Sequence, residues 1–103
     1  VIEGRKQERN KDMMKTSYLE MTYRRGRVIA AYYYLPRRPG QSSVRTRRAE
    51  AGLLIDYARF GRPIGVEITT PGTLSVTAFN RVLRELGFPS VKRQDVAPLI
   101  AAS

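Results

Sequence analysis

The residues of this chain best equipped for chemistry are arginines, and they are grouped. They stand at Arg24-Arg25-Gly26-Arg27, at Arg37-Arg38 and at Arg45-Thr46-Arg47-Arg48. A guanidinium pairs with a phosphate through two parallel hydrogen bonds and also stacks on aromatic rings. The chain supplies six tyrosines, three of them consecutive at Tyr32, Tyr33 and Tyr34. Arg24, Arg25, Arg27, Arg37, Arg38, Arg45, Arg47 and Arg48 are therefore candidate nucleic-acid-binding residues, and two loops and a weak strand could bring them to one edge. Such binding would be driven by counterion release and would weaken steeply with salt. The plainer alternative is a solvated basic surface that keeps sheet edges from pairing with other chains. No helix-turn-helix, zinc-finger or RNP-type aromatic signature accompanies the clusters.

Catalytic chemistry finds less support. The chain has no histidine and no cysteine, which removes the commonest general base near neutral pH, the commonest metal ligand and all thiol chemistry. Asp56 and Glu67 could form a carboxylate pair for proton transfer or a divalent ion. Two acids without a third ligand or a cleft make a poor site, and outward-facing polar groups or salt bridges to arginine are the simpler expectation. Ser42, Ser43, Ser75 and Ser90 have no histidine to activate them and no Gly-x-Ser-x-Gly elbow around them. Gly61, Gly65 and Gly72 lack the spacing of a phosphate-cradling loop. The expectation is a protein that is not an enzyme, with no catalytic residues, no metal and no cofactor.

The elements that must carry these residues are legible as periodicities. Ser17 to Tyr23 alternates, with Leu19, Met21 and Tyr23 on one face, and Arg24 to Arg27 reads as a turn. Val28 to Leu35 is apolar on both faces, as in a central strand or one at a subunit contact. One ring of Tyr32, Tyr33 and Tyr34 must point away from its neighbours, so these residues are candidates for a homodimer interface. Pro36 to Gln41 is a loop, and Ser43 to Arg48 a weaker third strand. Gly52 to Ile68 reads as a hairpin in which Leu53, Ile55 and Tyr57 face Ile68, Val66 and Ile64, with Gly61 in the turn. A one-residue slip would set that row against Gly65 and Glu67, so the pattern fixes its own register. Val76, Phe79, Val82, Leu83 and Leu86 form one helical stripe, with Ser75 as N-cap and Gly87 at the C-terminal cap. Val91 to Ser103 offers a short apolar turn with Asp95 as a cap.

The segments Tyr23, Ala31-Tyr32-Tyr33-Tyr34-Leu35, Gly52-Leu53-Leu54-Ile55-Asp56-Tyr57 and Gly61-Arg62-Pro63-Ile64-Gly65-Val66-Glu67-Ile68 carry a likeness. Over about residues 17–70 the chain resembles a widespread family of small bacterial β-rich proteins, a domain of unknown function. That family has a Leu-Tyr-Ile strand, a Val-Asp-Tyr strand and a closing Gly-Ile-Glu-Ile. The chain departs at Arg24-Arg25-Gly26-Arg27, where the family usually carries acidic residues. The resemblance implies a mainly antiparallel β protein without known catalysis. It also implies an antitoxin-like role beside a toxin-like protein partner.

The 103 residues hold 19 Lys/Arg against 9 Asp/Glu, a formal net charge of +10. That length suits one domain with a modest core. Ile2-Glu3-Gly4-Arg5 matches the recognition tetrapeptide of a tag-removing protease, and Met13-Met14 offers a native start. Residues 1–12 are expected to be a cloning remnant or disordered extension, 13–90 a single domain, and 91–103 a tail or short helix. No apolar run is long enough to span a bilayer and no signal-peptide pattern is present, so a cytoplasmic protein without membrane contact is expected. The expected fold is α+β, an antiparallel meander of four to five strands with one C-terminal helix packed on the sheet. The expected function is a non-enzymatic interaction protein working through protein–protein contacts, with nucleic-acid binding through the arginine clusters as the alternative.

Overall fold

A computed structural model describes residues 4–7, 17–38 and 40–101, with side chains described for residues 17–38 and 40–100. The fold is α+β. Strands β1 (Gly4–Gln7), β2 (Tyr18–Arg24), β3 (Arg27–Tyr34), β4 (Arg45–Glu50), β5 (Leu53–Tyr57) and β6 (Pro63–Ile68) precede helices α1 (Val76–Glu85) and α2 (Arg93–Ala101). The strands form one sheet in the order β1-β2-β3-β6-β5-β4, antiparallel at every step. Five of them lie between residues 18 and 68, as two antiparallel runs, β2-β3 and β4-β5-β6. The runs join through β3 and β6, where Tyr33 faces Val66 and Ala31 faces Ile68. Residues 35–44 must therefore cross the ends of β6 and β5 to reach the far edge.

The sequence register holds at its centre and slips at one end. Leu53, Leu54, Ile55 and Asp56 face Ile68, Glu67, Val66 and Gly65, as the alternation requires. Tyr57 does not face Ile64; it faces Pro63, because a bulge falls between Asp56 and Tyr57. A second irregularity pairs Thr22 with Ala30 but Tyr23 with Val28. Ile29 is left outside the ladder and 45% exposed, as expected of a bulge residue.

The N-terminal segment set aside in the sequence contributes to the sheet. Gly4–Gln7 pairs with Tyr23 to Glu20 as an edge strand, while residues 1–3 and 8–16 lie outside the described residues. The strand expected at 43–48 begins two residues later, so Val44 precedes it at 61% exposure.

One face of the sheet is the core face. Val28, Ala31, Leu53, Ile55, Val66 and Ile68 meet Phe79, Val82 and Leu83 of α1 and Val96 and Leu99 of α2, all buried. Each such large apolar side chain contributes about 1.5–3 kcal/mol when removed from water. The Tyr33 ring stands edge-on to Phe79, with centroids 5.3 Å apart. Ser75 Oγ accepts from the Ala78 amide at 3.1 Å. At the other end Gly87, at φ +86°, takes the left-handed position that lets Phe88 N donate to Leu83 O at 2.9 Å.

The C-terminal segment is a docked helix. Asn80 holds Val91 through both backbone groups, at 2.8 and 3.0 Å. Asp95 caps α2 by accepting from the Lys92 amide at 3.2 Å. Both helices lie on the same side, so the face carrying Tyr18, Glu20, Tyr32, Tyr34, Asp56 and Glu67 is an open one. Among the described residues, no helix is long and apolar enough to cross a membrane.

Candidate nucleic-acid interface

The three arginine clusters do not come together on one edge, because the first lies at the opposite end of the sheet from the second. In the β2–β3 hairpin Tyr18 faces Tyr34 at one end and Arg24 faces Arg27 at the other. At about 3.3 Å per residue, the two ends are about 20 Å apart. The turn between them needs two residues with positive φ, and Arg25 at +52° and Gly26 at +78° supply them. Arg24, Arg25 and Arg27 thus sit at the end of the sheet opposite Arg37 and Arg38. The arginines of β4 occupy the sheet edge remote from β1.

Arg45 and Arg47 serve packing. They face Tyr57 and Ile55, and their guanidinium carbons lie 4.4 and 5.9 Å from the centre of the buried Tyr57 ring. Arg47 Nη2 also donates to Tyr57 Oη at 3.0 Å. Arg48 faces Leu54 on the open side. Arg37 covers the Tyr34 ring, 4.8 Å from its centre, and Tyr34 stacks on Tyr18 with centroids 4.4 Å apart. Of the original eight, Arg38 lines a crevice.

That crevice lies at the crossover end, between the loop after β3 and the β5–β6 turn. It measures about 490 Å³, and its walls include Arg38, Gln41, Ser42, Val44, Arg59 and Phe60. Both loops are anchored. Leu35 N donates to Ile64 O at 3.1 Å, and Val44 N to Tyr57 O at 2.8 Å. Arg38 N donates to Gln41 Oε1 at 3.0 Å. The β5–β6 turn is closed by Ala58 N donating to Arg62 O at 2.8 Å.

Phe60 is anomalous in two independent ways. Its φ is +64°, a left-handed conformation that costs a non-glycine residue about 1–2 kcal/mol. Its side chain is fully exposed, at 101% of the reference area, so burial returns nothing against that strain. Strained, exposed aromatic residues cluster at working surfaces. Arg59 and Arg62 flank it in the chain. Among the described residues, no carboxylate pairs with Arg38, Arg59 or Arg62, whereas Arg81 is paired with Glu50 at 2.6 Å. The residues of this site that sequence reasoning missed are Arg59 and Phe60, with Arg62 closing the same turn. The signal was an Arg-Phe-Gly-Arg turn, where a large ring has no strand or helix face to bury against.

The acids behave differently. Asp56 and Glu67 share the open face, with Asp56 facing Gly65 and Leu54 facing Glu67. Asp56 Oδ2 accepts from Tyr32 Oη at 2.8 Å and Oδ1 from Thr46 Oγ1 at 2.5 Å. Both oxygens are engaged by neutral donors, which is a structural use. Burial, reinforced by the hydrogen bond to Asp56, pushes the Tyr32 phenol far above its ordinary value. Burial and the nearby Glu20 charge raise Tyr34 in the same direction, with Tyr34 Oη donating to Glu20 Oε1 at 3.3 Å. Among the described residues, no group of three acids, cysteines or histidines could hold a metal ion.

The three interface candidates are divided. Tyr33 packs into the core face, whereas Tyr32 and Tyr34 lie half-buried on the open face, their rings 4.6 Å apart and edge-on. No family model, no curated protein and no solved structure matches the chain.

Proposed function

We propose that this protein is a small non-enzymatic binding protein that holds nucleic acid at the crossover end of its sheet. The observation that carries this is the placement of Arg38 and Arg59, from loops some 20 residues apart in sequence, on one crevice beside Phe60. Guanidinium groups without carboxylate partners neutralise phosphates at little cost, and the released counterions drive association. Phosphate contacts read no bases, so sequence preference is weak. Fluorescence anisotropy with labelled DNA and RNA strands, at salt rising from about 50 to 200 mM, tests it. Affinity should fall log-linearly with salt, and an Arg38→Gln/Arg59→Gln variant should bind weakly. No binding at the lowest salt would reject it.

A second reading keeps the protein–protein contacts that the family resemblance implies, with an antitoxin-like role and a toxin-like partner. What favours it is the apolar character of the same crevice, where Phe60 and Val44 are both exposed. A toxin-like reading frame adjacent to the gene, and a stoichiometric complex of the two products, would support it. In either reading the protein works in the cytoplasm as a homodimer joined through the open face at Tyr32 and Tyr34.

A further inference from the structure

We infer that Phe60 is a stacking platform for an unpaired nucleobase, so that the crossover end takes single-stranded rather than duplex nucleic acid. The inference rests on the nucleic-acid reading above and adds the ligand's strandedness. Phe60 presents its whole ring to solvent at the lip of the crevice. Its turn is fixed by the Ala58–Arg62 hydrogen bond of 2.8 Å and by consecutive positive φ values at Phe60 and Gly61, +64° and +77°. A glycine would make that turn with less strain, so neither backbone nor packing accounts for the phenylalanine. Arg38 and Arg59 line the same crevice and supply two positive charges beside the ring. In a duplex every base face is already covered by its neighbours, whereas a single strand offers its π-faces to a protein aromatic ring.

The chain contains no tryptophan, so Phe60→Trp places one reporter on the ring itself. The probes are a thymine 20-mer, a strand of 20 abasic units and a blunt 20-base-pair duplex. Stacking worth about 1–3 kcal/mol per base corresponds to about 5- to 150-fold in affinity. Phe60→Ala should lose that factor toward the thymine strand and nothing toward the abasic strand, and tryptophan emission should be quenched by thymine alone. Phe60→Gly should melt at a higher temperature than the parent and still bind the thymine strand as poorly as Phe60→Ala. If parent and Phe60→Ala bind thymine and abasic strands alike, stacking is overturned while backbone binding stands. Quenching by the duplex equal to that by thymine would also overturn it. If the parent binds no strand at about 50 mM salt, where phosphate contacts are strong, the nucleic-acid reading fails first. A protein ligand would then be the crevice's occupant.

Discussion

The Tyr32 hydroxyl donates to Asp56 Oδ2 at 2.8 Å across the strand between them. Tyr32 is on β3 and Asp56 on β5, and the ring lies directly over Gly65 of β6. A β-carbon at Gly65 would collide with the hydroxyl end of that ring, so the glycine makes room for the tyrosine to lie in this position. With Thr46 of β4 on the other carboxylate oxygen, one acid links β3, β5 and β4 on the open face, reaching across β6.

Gly65→Ala should therefore lift the tyrosine off the sheet and cost about 1–3 kcal/mol in denaturant unfolding, the usual range for overpacking. Asp56→Ala should cost a similar amount, because it strands two donors. Combining it with Tyr32→Phe should recover part of that loss. Additive losses in the double variant would contradict the coupling.

Alkaline titration should report on Tyr32 and Tyr34. The folded Tyr32 and Tyr34 phenols are raised above the ordinary 10.0, so the neutral form is favoured by folding. Their contribution is complete below pH about 10 and is lost as pH rises through the folded values. Phenolate absorbance should lose its late-ionising component in a Tyr32→Phe/Tyr34→Phe variant, and in the parent that component should appear together with loss of tertiary structure. Tyr32→Phe should weaken the stability decline above pH 10. A titration curve that Tyr32→Phe/Tyr34→Phe leaves unchanged in its late part, with the protein still folded, would refute the network.

Core truncations should rank by burial. Ile55→Ala should cost about 2–5 kcal/mol, with Glu67→Gln within about 0.5 kcal/mol of the parent. Leu99→Ala should fall in the larger class, since Leu99 is 0% exposed beneath the sheet. A near-neutral Leu99→Ala would mean that α2 does not dock in solution.

Much of this fold is written locally. The alternation of Leu53, Ile55 and Tyr57 against Ile64, Val66 and Ile68 specified a hairpin, and Ser75 and Gly87 marked both ends of α1. What local periodicity could not carry was the pairing of β3 with β6, a non-local contact that decides which loops meet. Arg24 and Arg38 looked equivalent in sequence and lie at opposite ends of the sheet for that reason. The bulge before Tyr57 was likewise invisible, because one extra residue in a strand leaves no compositional mark. Val96 and Leu99 were too few to announce a docked helix across Pro98. Asp56 and Glu67 were readable as one face, while the tyrosine that claims Asp56 reaches it only through the tertiary fold.

The proposed self-association through the open face has a direct check. Sedimentation at micromolar concentration should give a dimer for the parent, and a monomer for a Tyr34→Glu variant that retains the native circular-dichroism spectrum. A parent that sediments as a monomer would remove Tyr32 and Tyr34 from any self-contact.

The measurement that bears most directly on the account is the salt slope of single-strand binding. For a single strand each lost phosphate contact lowers the slope of log affinity against log salt by about 0.7. Arg38→Gln/Arg59→Gln should therefore lower it by about 1.4. Arg24→Gln/Arg27→Gln, at the far end of the sheet, should leave it unchanged. Equal losses from the two variants, or an undiminished slope without Arg38 and Arg59, would place the binding surface elsewhere and contradict the assignment of the crossover end.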